Sequence, residues 1–85
     1  MEEALVLGSI AFSFPRDLRD KLTSIPGVTD ANFIYGPYDF YVKVKTETKE
    51  ELRDAITQIR SIEGVQSTMT CNVVSMQAAQ GSAKE

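Results

Sequence analysis

The segment Ile25-Pro26-Gly27-Val28 has a counterpart in Ile62-Glu63-Gly64-Val65. In each copy the glycine closes a stretch with helical apolar spacing and opens one with strand-like alternation. An apolar strand precedes each helix, so the chain reads strand-helix-strand twice. Neither unit can cover its own apolar face, and two such units are driven to share one sheet.

The first segment, Ala4 to Phe12, is apolar on both alternations: Val6, Ile10 and Phe12 on one face, Leu5, Leu7 and Ala11 on the other. Such a strand calls for cover on both sides. Pro15 presets a helical φ near a helix start, Leu18, Leu22 and Ile25 follow at helical spacing, and Pro26-Gly27 stops the helix. A second strand is predicted from about Val28 to Tyr35, with Ala31, Phe33 and Tyr35 alternating against Asp30 and Asn32. Gly36-Pro37 turns the chain into a third strand, Asp39 to Lys45, whose Phe40, Val42 and Val44 oppose Tyr41, Lys43 and Lys45. Thr48-Lys49-Glu50-Glu51 has the form of a capping box, and Leu52, Ala55, Ile56 and Ile59 mark the stripe of a second helix. The last strand, about Val65 to Val74, is expected to turn Val65, Met69, Cys71 and Val73 to one face, with Cys71 a small core residue.

The order βαββαβ with right-handed crossovers yields an α+β, ferredoxin-like sandwich: a four-stranded antiparallel sheet, order 4-1-3-2, with two helices on one face. The other face is left bare. Leu5, Leu7, Ala11, Tyr41 and Val74 are expected to line it and to stack on a second copy, a homodimer of the dimeric α/β-barrel type. Lys43 and Lys45 fit that interface only at its rim, reaching toward Glu2 or Glu3 of the partner. Residues 1–75 are expected to form the single domain and 76–85, small and polar, a flexible tail.

Composition excludes several function classes. A net charge of −3 without a Lys/Arg cluster argues against direct nucleic-acid binding. The lone Cys71 rules out an internal disulfide and fits a reducing, cytoplasmic setting. The longest apolar run is broken by Ser9 and Ser13 and preceded by two glutamates, so no membrane span or secretory signal is expected. There is no histidine and no visible nucleophile–base pair, so neither catalytic residues, nor a metal, nor a cofactor is expected.

The two glycine signatures, the Gly36-Pro37-Tyr38-Asp39 turn with the alternation that follows it, and Ser67-Thr68-Met69-Thr70 after Gly64 together resemble the Lrp/AsnC regulators, specifically their effector module, RAM (regulation of amino acid metabolism). The likeness runs from Ala4 to about Val74. It implies sheet-to-sheet dimers, assembly into octamers or decamers, and an amino acid bound between dimers near the glycine turn. Family members also carry a DNA-binding helix-turn-helix; none is seen in this sequence, so a stand-alone effector domain is expected, with co-assembly alongside full-length Lrp/AsnC regulators as an alternative.

An amino acid zwitterion needs an anion for its ammonium group and donors for its carboxylate. Asp39 is the candidate anion, Gly36 allows close backbone approach, and Tyr38 is placed to wall the pocket. Thr68 and Thr70 enter through the resemblance, as hydroxyls contributed from the last strand of the same or a neighbouring subunit. Taken without the resemblance, Gly36, Pro37 and Asp39 are ordinary turn residues and the threonines ordinary strand formers. Three other classes share the topology: amino-acid-binding ACT domains, which the Gly-Pro-Tyr-Asp turn suits less well, heavy-metal carriers, which need a paired-cysteine loop where this chain has Ser9 to Pro15, and dimeric α/β-barrel enzymes.

Overall fold

A computed structural model describes residues 1–73. The order is β1 (Glu2–Ile10), α1 (Leu18–Thr23), β2 (Val28–Phe33), β3 (Phe40–Thr46), α2 (Lys49–Arg60) and β4 (Val65–Asn72). The strands form one antiparallel sheet in the order β2-β3-β1-β4, which is the expected topology read from the opposite edge. Val74 and the tail 76–85 lie outside the described residues.

The core is built from one face of the sheet and the inner stripes of both helices. Val6 from β1, Ala31 from β2 and Phe40, Val42 and Val44 from β3 pack with Leu18, Leu22, Ala55 and Ile59, all buried. β3 is central and alternates buried and accessible residues without a break, as its sequence demands. Gly8 of β1 lies beneath the Phe40 ring, and a β-carbon there would overlap it. The capping box of α2 forms in full, with Thr48 Oγ1 accepting from the Glu51 amide at 3.1 Å and Glu51 Oε1 accepting from the Thr48 amide at 3.2 Å. At the free edge of β2, Arg19 Nε donates to the Ala31 carbonyl at 3.0 Å, occupying an acceptor that an edge strand otherwise offers to other chains.

The sequence expectations for β1 and β4 are corrected. β1 ends at Ile10, because the Ala11 amide donates to the Gly64 carbonyl (2.8 Å) as the chain leaves the sheet; Phe12 is fully exposed instead of lying inward beside Val6 and Ile10. In β4, Ile10 pairs with Val65 but Ser9 pairs with Ser67, so Gln66 is an extra residue that switches the alternation. Met69 and Cys71 therefore oppose Leu7 and Leu5 on the open face, and Cys71 is exposed, not core. Lys45 Nζ lies 4.0 Å from Glu3 Oε1 of its own chain, its cross-strand neighbour, a half-exposed pair of small energetic weight.

The open face carries Leu5 and Leu7, both half-buried, flanked by Tyr41 and Lys43 on β3 and by Met69 and Cys71 on β4. The Tyr41 hydroxyl donates to Asp30 Oδ2 (2.8 Å) and accepts from Asn32 Nδ2 (3.1 Å), which pins its ring across the sheet. Ala11 falls beyond the end of β1 and lines a cleft at that end of the sheet instead of joining this row. Among the described residues, no helix is long and apolar enough to cross a membrane.

Candidate functional site

Where β1 ends, β2 ends and β3 begins, three chain segments diverge and leave an open cleft of about 420 Å³. Its walls are Ile10, Ala11, Phe12 and Phe14 from the segment after β1, Phe33, Ile34 and Tyr35 from the end of β2, and Asp39. The volume falls within the range of roughly 300–1,000 Å³ common for small-molecule sites.

Asp39 is fastened at three points. Its amide donates to the Gly8 carbonyl (2.8 Å), its carbonyl accepts from the Ile34 amide (2.9 Å), and its Oδ2 accepts from the Ile10 amide (2.8 Å). The residue is thus held by the backbone of β1 and of the segment just after β2, and its carboxylate by the Ile10 amide. Oδ1 has no partner among the described residues. An exposed carboxylate with one oxygen tied and one open suits a positively charged or N–H-bearing group arriving from solvent.

The aromatic walls are ordered by a glycine. Gly64 adopts φ +97°, and a β-carbon on it would come within 2.7 Å of Phe14 Cβ and 3.0 Å of Phe14 Cα. Phe14 therefore rests directly on the turn after α2. Its ring meets Phe33 with centroids 6.2 Å apart at 53°, a tilted pair within the favourable range.

Of the five residues expected to bind ligand, the structure brings Asp39 alone to this cleft. Gly36 sits at the exposed tip of the turn at φ +137°, where only the backbone conformation calls for glycine, since a side chain would meet nothing within 4 Å. Tyr38 directs its hydroxyl to Met69 Sδ (3.3 Å), across the open sheet face. Thr68 lies opposite Gly8 on β4 and lines a separate recess with Arg60, Val65, Gln66 and Ser67; Thr70 lies opposite Val6 and is exposed. Within one subunit β1 stands between these threonines and Asp39. The sequence reading missed Phe12, Phe14 and Phe33 as cleft residues. The signal available was three aromatics at unsatisfied positions near two strand ends, but strand periodicity assigned Phe12 and Phe33 to sheet faces.

The topology, the paired glycine turns and the cleft at the strand ends define an α+β domain of the ferredoxin-like kind with a small-molecule-sized site. The chain belongs to the Lrp/AsnC ligand binding domain family, whose model matches residues 13–80. It is 34% identical over 58 residues to the HTH-type transcriptional regulator FL11 of Pyrococcus furiosus, covering 68% of this chain and 38% of that protein. It is 43% identical over 54 residues to homocitrate synthase of Sulfurisphaera tokodaii, covering 64% of this chain and 12% of the enzyme. The chain thus spans well under half the length of either curated relative. Among solved structures, a hypothetical protein of Pyrococcus horikoshii, PHS023, superimposes with a TM-score of 0.77 at 36% identity, over 88% of this chain and 92% of that one. The feast or famine regulatory protein of M. tuberculosis, solved in complex with L-methionine, shares the fold with a TM-score of 0.73 at 21% identity, over 89% of this chain and 52% of its own.

Proposed function

We propose that this domain is a non-catalytic, cytoplasmic amino acid sensor that works as a homo-oligomer. The observation that carries the reading is Asp39: a backbone-fastened carboxylate with one open oxygen, at the rim of a cleft in a domain whose family is defined by ligand binding. The relatives support the choice of sensing over catalysis or DNA binding. Similar modules are found in a helix-turn-helix regulator and in a synthase, and ligand recognition is what a regulatory module can contribute to both. A protein of the same fold holds L-methionine, which supports an amino acid as the ligand class.

Stacking of two open sheet faces through Leu5, Leu7 and Tyr41 removes apolar surface from water and forms the dimer. Assembly of dimers into an octamer or decamer then brings Thr68 and Thr70 of one subunit toward the 36–39 turn of another, which is how threonine hydroxyls reach a ligand held by Asp39. Ligand acts by favouring one assembly over another, through its differential affinity for the two. A second reading, co-assembly with full-length Lrp/AsnC regulators, draws on the likeness to FL11, since two related modules present related faces; a mixed oligomer on combining this chain with such a regulator supports it.

Asp39→Ala is expected to abolish amino acid binding in calorimetry, screened across the twenty amino acids, while the oligomer mass is retained; undiminished affinity rejects the assigned role. Leu7→Asp places a charge in the stacked faces and is expected to reduce the mass in light scattering to that of one chain. An unaltered mass rejects face-to-face stacking.

A further inference from the structure

The cleft carries information about its ligand beyond the ammonium anchor. Four aromatic rings surround Asp39, and two of them, Phe12 and Tyr35, are fully exposed while Phe33 is 50% exposed. Rings so exposed contribute little to the core, and they are gathered around one carboxylate instead of being scattered. No lysine or arginine lines the cleft. Among the backbone amides of the lining residues, those of Ile10, Ala11 and Ile34 are already given to Asp39 Oδ2, the Gly64 carbonyl and the Asp39 carbonyl. A second carboxylate on a ligand would therefore enter an apolar lining with neither a cation nor these donors to receive it. A second ammonium would compete with the first for the single open oxygen of Asp39.

From this we infer that the site selects amino acids with a long, uncharged, apolar side chain, of the methionine or norleucine kind, and that Phe12, Phe14, Phe33 and Tyr35 are the residues that read it. The inference rests on the sensor reading above. Asp39 takes the α-ammonium, the side chain lies against the rings, and the α-carboxylate is left at the mouth, where water or a neighbouring subunit supplies donors.

The test is calorimetry on the full chain with norleucine, lysine, glutamate and alanine. Norleucine and lysine share a straight four-carbon side chain and differ by the terminal ammonium. Norleucine is expected to bind at least about tenfold more tightly than alanine, and lysine and glutamate more weakly than norleucine. Tyr35→Ala, at a fully exposed position outside every strand, and Phe33→Ala are each expected to narrow the norleucine-to-alanine ratio, chiefly by weakening norleucine. Lysine binding as tightly as norleucine would overturn the inference, because the rings would then be serving as a cage for a cation. So would a ratio unmoved by both substitutions; if the oligomer mass changed as well, the rings would be assigned to contact between copies. These results leave the sensor reading standing provided that binding still requires Asp39. Absence of binding by every amino acid removes the sensor reading and this inference together.

Discussion

The two strand-helix-strand halves share a plan and differ where it matters. Both helices are followed by a turn that holds a glycine with φ +97°, Gly27 and Gly64, and a strand starts directly after each glycine. In the second half the strand passes to the helix through Glu47 and Thr48 alone, the helix has 12 residues, and a complete capping box starts it. In the first half the connection runs from Ala11 to Asp17, the helix has 6 residues, and Asp17 makes no side-chain capping bond. The first connection supplies Phe12 and Phe14 to the cleft. One half spends its residues on a regular, self-sufficient helix; the other keeps a short helix and places irregular chain at the strand ends, where a ligand can reach it.

The glycine pair offers the strongest way to break this comparison. Alanine at either position is forced into a conformation that costs about 1–3 kcal/mol. Gly27→Ala meets the Thr46 methyl at 2.8 Å, a side-chain atom able to shift, whereas Gly64→Ala meets Phe14 Cβ at 2.7 Å and Phe14 Cα at 3.0 Å, atoms that move only with the backbone. Urea denaturation is expected to show a loss of about 1–2 kcal/mol for Gly27→Ala and about 2–3 kcal/mol for Gly64→Ala. Only the second should also weaken ligand binding, since it displaces a cleft wall. Equal effects in both assays would mean that the halves are functionally equivalent.

The caps sharpen it further, with smaller effects. Thr48→Ala removes a capping bond and is expected to cost about 1 kcal/mol in the same assay. Asp17→Ala removes none and is expected to stay within about 0.5 kcal/mol. A loss at Asp17 as large as that at Thr48 would show that α1 depends on its N-cap residue as much as α2 does.

The repeat was legible because its parts are local. Helical spacing in Leu52 to Ile59, strand alternation in Phe40 to Val44, and the capping box of Thr48 and Glu51 each lie within a few residues, and all three formed as read. The errors fell where pairing between distant strands decided the outcome. Nothing in Gln66 itself announces that it will be the extra residue opposite Ser9 and Ile10, yet that insertion sends Met69 and Cys71 to the open face. Asp39 was legible as a candidate from the turn that contains it; the aromatics around it were not, because Phe12 continues the periodicity of a strand that the fold ends at Ile10 and Phe33 keeps a sheet-face position as the last residue of β2.

The order of elements, the sheet topology and the apolar second face follow from the sequence, because periodicity and turn chemistry are properties of neighbouring residues and only a few topologies can satisfy two such units. The tertiary structure alone decided the composition of the cleft. It is assembled from residues 10–14, 33–35 and 39, whose proximity depends on where three strands stop relative to one another, a matter of register and packing across the whole sheet.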